Sequence, residues 1–233
     1  MPGHKTPKGH IHLEDAGDKA LITCQGGKHT YQDFCNAWGY DSLAYSGNGS
    51  GHTAYGHKPE PGRKEIEIVY PYVDANGKSF EVVRFKNPKD FLQRRSDGIG
   101  GYIWDLKGIV PTLYHQDELI MAIEKNTTIY IAEGEKDVDR LRSLGLIATC
   151  NSGGAGKWLP QYTAALKGAD LVIIPDKDKP GHDHAQKVAQ SLYGTAGRVR
   201  ILELPGPGKD ASDWLDAGGV AEKLKALADA CPA

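Results

Sequence analysis

A chain of 233 residues has room for one large or two small domains, and 39% hydrophobic content supports an ordinary globular core. A net charge of −2 excludes a generally basic nucleic-acid binder, so any such surface must be local. No apolar run approaches the roughly 20 residues that span a bilayer, no signal peptide is expected, and Cys24, Cys35, Cys150 and Cys231 are too scattered for a disulfide framework, which points to reduced thiols in a cytoplasm.

Residues 1–20 are rich in Gly, His, Lys and Pro. His4, His10, His12, Cys24, His29 and Cys35 form a loose scatter, without the close ligand pairs of a zinc site. Solvated histidines near a terminus are the plainer alternative. In Thr30–Gly39, Tyr31, Phe34, Cys35 and Trp38 stand at helical spacing before a glycine, predicting a short amphipathic helix. Residues 46–62 hold Gly, Ser, His and Pro with little apolar content and read as a linker, the best domain boundary.

From residue 63 the period changes. Alternation on both sides of Asp74-Ala-Asn-Gly77 predicts a β-hairpin with Asn-Gly at the turn. A second pair of strands is expected across Asp97–Gly101, ending at Tyr102-Ile-Trp104. Arg84, Lys86, Lys89, Arg94, Arg95 and Lys107 cluster here, interleaved with Phe91, Tyr102 and Trp104. Basic and aromatic residues together suit a groove that tracks a phosphate backbone and stacks bases. A solvated hairpin face over core aromatics is the bland counterpart. Residues 115–126, apolar at 119, 120 and 123, read as a helix.

Two stretches then share one grammar. Thr128–Asp139 and Leu171–Gly181 each open on a β-branched run that reads as a buried parallel strand, each followed by a helix. Carboxylates stand at the strand ends: Glu133 in the first, Asp176 and Asp178 in the second. Ligands of open α/β sheets bind at that edge. Carboxylates converging there repel one another unless a hard cation holds them, and Mg²⁺ shared with substrate phosphates is the expected one. Simple helix capping is the alternative for any single acid. Further elements are a helix over 135–144, strands over 146–150, 170–175 and 198–203, and helices over 182–193 and 219–229. Asn151–Trp158 resembles a Walker A loop only superficially: Asn151 stands at the first glycine position and Trp158 at the Ser/Thr position, so no ATPase is expected. The Gly-rich turn can still offer backbone amides to a phosphate, or serve as a tight turn alone.

Glu133-Gly134 with Asp137, then Asp176-Lys-Asp178-Lys-Pro-Gly181, resembles a TOPRIM domain, shared by DnaG-type primases, topoisomerases and some nucleases. The details are most similar to primases of phages and mobile elements. The resemblance implies an α/β fold: a TOPRIM parallel sheet flanked by helices, preceded by a smaller, hairpin-rich mixed α+β basic domain. The expected division is 1–60 (a degenerate zinc-ribbon-like segment plus linker), 61–126 (the basic N-terminal polymerase subdomain) and 127–233 (the TOPRIM catalytic domain). Relatives often carry a Cys-Pro-x-His pair and a later Cys-x-x-x-Cys pair; here Met1 and Lys28 replace two of those ligands, so no zinc is expected.

The resemblance further implies a primase that builds short primers on single-stranded DNA from NTPs with Mg²⁺ or Mn²⁺, served by a replicative helicase in trans, since no helicase follows. Glu133, Asp137, Asp176 and Asp178 would be catalytic, with Glu133, Asp176, Asp178 and Asp210 around the metal. Asp213 stands one residue further from Asp210 than the second acid of the relatives. An N-cap from Ser212 or Asp213 is the plainer reading there. Glu133 is either a further ligand or the general acid/base. Arg84, Lys89, Arg94, Arg95, Lys107 and Lys136 would hold nucleotide and template. A TOPRIM nuclease and a non-catalytic single-strand-binding or helicase-loading module remain alternatives.

Overall fold

The computed structural model describes residues 10–15, 19–25, 43–46, 52–57, 65–74 and 76–232. The chain divides into two units, Met1–Glu65 and Ile66–Ala233. In the first, β1 (His10–Asp15), β2 (Lys19–Gln25), β3 (Leu43–Ser46) and β4 (His52–His57) pair antiparallel in the order β1-β2-β4-β3. Strand β4 falls inside the stretch expected to be a linker. Its Thr53 and Tyr55 are strand formers, and pairing with β2 along its whole length decides the outcome where local composition did not. The expected helix over 30–39 lies outside the described residues, as do His4, His29 and Cys35.

The second unit opens with an antiparallel sheet of β5 (Ile66–Val73), β6 (Ser79–Phe85), β7 (Asp90–Ser96) and β8 (Tyr102–Ile103), in that order. The first turn is the one expected: Asp74 Oδ1 accepts the N–H groups of Asn76 and Lys78, and Gly77 takes the left-handed φ of +80°. Helix α1 (Gln116–Glu124) follows. It buries Leu119 and Ala122, while Ile120, read as part of the apolar face, stands 58% exposed.

A four-stranded parallel sheet completes the unit: β9 (Ile129–Ile131), β10 (Ile147–Thr149), β11 (Asp170–Ile173) and β12 (Arg198–Ile201), ordered β10-β9-β11-β12. Each strand leads into a helix: α2 (Glu135–Arg142), α3 (Pro160–Ala165), α4 (Lys179–Leu192) and α5 (Ala211–Asp216), with α6 (Ala221–Ala230) last. Both faces of this sheet are covered, which is why its strands read as unbroken apolar runs. Ile129, Ile131, Leu171 and Ile173 pack with α1, α3 and α4; Tyr130, Ala132, Val172 and Ile174 pack with α2, α5 and α6. The second cluster also takes in Tyr70, Tyr72, Phe80 and Val82, so the antiparallel sheet shares a core with the parallel one. Tyr72 Oη ties the two by donating to Glu135 Oε1 at 2.8 Å.

Helix α4 starts at Lys179 rather than at 182. Asp178 caps it, with Oδ1 accepting the Gly181 N–H at 2.9 Å, and Pro180 sits in the first turn, where its missing N–H is harmless. A Cβ on Gly181 would stand 2.5 Å from the Asp176 carbonyl oxygen, so this close approach admits no side chain. Among the described residues, no helix is long and apolar enough to cross a membrane.

Candidate active site

The carboxyl ends of β9 and β11 meet β5–β7 around a cavity of about 280 Å³. Glu133, Asp137, Asp176 and Asp210 line its floor; Arg84, Lys89 and Phe91 form the opposing wall, with Lys136 and the Gly153–Gly154 turn beside them. The acids come from three βα units, Glu133 and Asp137 from the same one, and parallel pairing of β11 with both β9 and β12 brings them to one edge.

Each acid has its own surroundings. The Glu133 carboxyl is pushed up to about 7 by burial, then by the neighbouring Asp176 and Asp178 charges; its Oε2 is buried with no hydrogen-bond partner among the described residues. Asp137 is buried, and Ser212 donates to its Oδ1 through both N–H (2.9 Å) and Oγ (2.6 Å), fastening α5 to α2. Burial raises its pKa, with Asp210 adding to the effect. Burial also raises the Asp176 pKa, against the pull of Lys209. Asp178 is held below the usual carboxylate range by the Gly181 N–H and then Lys209. Asp210 caps α5, accepting the Asp213 N–H at 2.7 Å. Neither Ser212 nor Asp213 is that cap; Asp213 Oδ2 accepts the Lys209 N–H instead.

Lys209 was missed in the sequence. Its Nζ lies 3.3 Å from Asp176 Oδ2 and 3.0 Å from Asp178 Oδ2. Among the described residues, no group of three acidic, His or Cys side chains is arranged to hold a metal ion. The donor set nevertheless suits a hard cation. It is all oxygen, it leaves Glu133 Oε2 unpartnered, and the Asp176–Asp178 pair already faces one positive charge.

The expected basic residues divide. Arg84, Lys89 and Lys136 line the cavity. Arg84 pairs with Glu67 at 2.8 Å, and both Arg84 and Lys89 sit over the Phe91 ring. Arg94 does not join them. It pairs opposite Glu81 on the reverse face of the sheet, only 8% exposed, with its guanidinium 3.5 Å from the Tyr102 ring centre. Arg95 is engaged with Asp105 at 2.9 Å. Lys107 is exposed on the loop after β8 and does not line the cavity.

The Gly-rich turn is staked from behind. His184 Nδ1 accepts the Gly156 N–H at 3.0 Å, its Nε2 meets Asn151 Oδ1 at 3.2 Å, and Asn151 Nδ2 donates to the Gly154 carbonyl at 2.9 Å. Burial keeps His184 below its usual pKa, consistent with an accepting Nδ1. A hollow of about 430 Å³ beside Trp158, His184 and Lys187 has no acid on its lining, unlike the smaller cavity.

In the metal-free protein Glu133 makes stability depend on pH. Its folded pKa of about 7 lies above the 4.5 of an unperturbed side chain, so the folded state binds the proton more tightly. Stability from this group therefore falls as pH rises between those values. Solvent at the cavity mouth screens part of the effect, leaving about 1–2 kcal/mol above neutrality. In EDTA, Glu133→Gln is expected to be more stable than wild type by that amount at pH 8 and nearly equal at pH 5, by urea unfolding. An equal difference at both pH values would contradict the assignment.

No protein-family model matches the sequence, and no curated protein does. Solved structures do. The E. coli primase catalytic core superposes with a TM-score of 0.54 at 19% identity, over 87% of this chain and 61% of that one. The chain has the fold of a DnaG primase catalytic core. A DnaG primase catalytic domain bound to ssDNA matches with a TM-score of 0.50 and 20% identity, over 88% of this chain and 62% of that one. The Aquifex aeolicus primase, with its zinc-binding and RNA polymerase domains, gives 0.53 and 20% over 82% and 44%. The chain thus spans less than two thirds of each of these DnaG-type structures. The antiparallel sheet followed by a helix-flanked parallel sheet is the DnaG core arrangement, TOPRIM sheet included.

Proposed function

We propose that the chain is a primase-like nucleotidyltransferase that makes short primers on single-stranded DNA from NTPs in the cytoplasm. One observation carries the reading: strand-end acids and a basic, aromatic wall face each other across a single cavity in a DnaG-type fold. Narrowing it to the primases of phages and mobile elements rests on the motif resemblance alone, and a helicase partner in trans on the same ground. Under the same proposal, residues 61–126 would supply the basic wall as a polymerase subdomain and 127–233 the acids as the catalytic domain.

Glu133, Asp176, Asp178 and Asp210 would hold Mg²⁺ or Mn²⁺. A bound divalent ion neutralises triphosphate charge and polarises the reacting oxygens. If Glu133 is not itself a ligand, its carboxylate would instead accept the proton of an attacking 3′-hydroxyl. Lys136 and the Gly153–Gly154 amides suit phosphate oxygens, while Arg84, Lys89 and Phe91 suit a template backbone and a stacked base. Asp137 positions α5 through Ser212.

The test is NTP incorporation on single-stranded DNA with Mg²⁺ or Mn²⁺. Labelled products longer than a dinucleotide support the reading, and cleavage without NTPs favours the TOPRIM nuclease alternative. The Lys209 ammonium between Asp176 and Asp178 favours a third reading, a non-catalytic single-strand-binding or helicase-loading module. Metal-independent DNA binding with no product under any condition would establish it.

A further inference from the structure

The acid pair on β11's loop is closed by a residue whose backbone is laced in place and whose side chain is more than half exposed. The Lys177 N–H donates to the Lys209 carbonyl at 2.9 Å, Lys177 Nζ donates to the Gly206 carbonyl, and the Lys209 N–H donates to Asp213 Oδ2 at 2.7 Å. The loop carrying Lys209 is thus laced to the loop carrying Asp176 and Asp178. The Lys209 side chain itself is 57% exposed, a flexible four-carbon arm with open solvent on one side. Its ammonium meets one oxygen of each aspartate, and Glu133 stands close enough to feel the same charge. Asp137 and Asp210 are the other acids that act on Asp176.

We propose that Lys209 is an internal counter-ion: its ammonium occupies the cation position between Asp176 and Asp178 in the metal-free protein and is displaced into solvent when a divalent ion enters. This rests on the divalent-metal reading above. The physical ground is that like carboxylates at one strand edge need a positive charge to be tolerated. A tethered monovalent charge satisfies that need without nucleotide present, and it must then be outcompeted. Lys209 therefore sets the metal affinity downward and keeps the unloaded site from unravelling.

The experiment measures Mn²⁺ binding to the full chain by the loss of free-ion electron paramagnetic resonance signal, with melting followed in EDTA and in Mn²⁺. Wild type is compared with Lys209→Met and Lys209→Arg. Lys209→Met is expected to bind Mn²⁺ about tenfold more tightly. It should melt about 2–4 °C lower in EDTA, with that deficit erased by Mn²⁺. Lys209→Arg, which keeps the charge, should stay near wild type. Lys209→Gln repeats the neutral arm if the Met variant fails to fold. Equal or weaker Mn²⁺ binding by the neutral variants, with wild type binding normally, overturns this proposal and leaves the metal reading standing. No Mn²⁺ binding by any of the proteins overturns both.

Discussion

Asp176→Asn is expected to lower primer synthesis by about 10³-fold or more without unfolding the chain. Asparagine keeps the size of the side chain and removes the charge that a cation and Lys209 share. The fold tolerates the change because Asp176 contributes repulsion as well as attraction. Burial and the Asp137 and Asp210 charges all push its pKa up, so a neutral group there relieves strain that the Lys209 contact only partly offsets. Glu133→Gln is expected to behave alike in the assay. NTP incorporation on single-stranded DNA, beside circular dichroism of the same preparations, reads both properties. Substantial synthesis by either folded variant would remove the acids from the chemistry.

The largest effect on stability is expected at Arg200→Ala. The Arg200 side chain has 0% exposure. Its Nη2 donates to both Asp170 oxygens at 2.6 and 2.7 Å, and its Nη1 to the Ala228 carbonyl at 2.7 Å. Thr128 Oγ1 donates to Asp170 Oδ2 at 2.7 Å. One guanidinium thus links β12, the start of β11, the approach to β9 and the last turn of α6. Truncation leaves a cavity, an Asp170 carboxylate that keeps only the Thr128 hydroxyl, and an unanswered helix carbonyl, together costing about 3–5 kcal/mol. Arg200→Met, which keeps most of the volume, is expected to lose less. Urea unfolding of both variants decides it; a loss under about 1 kcal/mol for Arg200→Ala would show the network to be dispensable.

Much of this architecture can be read in advance because burial on both sheet faces leaves a plain signature. Ile129–Ile131 and Val172–Ile174 are apolar without alternation because residues of each parity meet a helical layer. The acids are legible for the same reason: they interrupt apolar runs at one end. Asp178 and Asp210 each cap a helix while facing the acidic cluster, so the choice posed in the sequence between cap and site was not exclusive. Arg94 and Arg95 illustrate a signal not used. Consecutive residues of a strand point to opposite faces, so two adjacent arginines cannot both enter one groove. Lys209 left no such trace. It reaches Asp176 only through the contact of two loops more than thirty residues apart, and neither periodicity nor spacing encodes that. Strand β4 was hidden likewise, since its pairing with β2 is non-local.

Tyr72, Phe80 and Val82 sit in one cluster with Tyr130 and Ile174, and Tyr72 is bonded to Glu135 at the head of α2. The wall bearing Arg84 and Lys89 is therefore anchored to the floor bearing Glu133. The calibre of the aperture between them is set by packed aromatic rings.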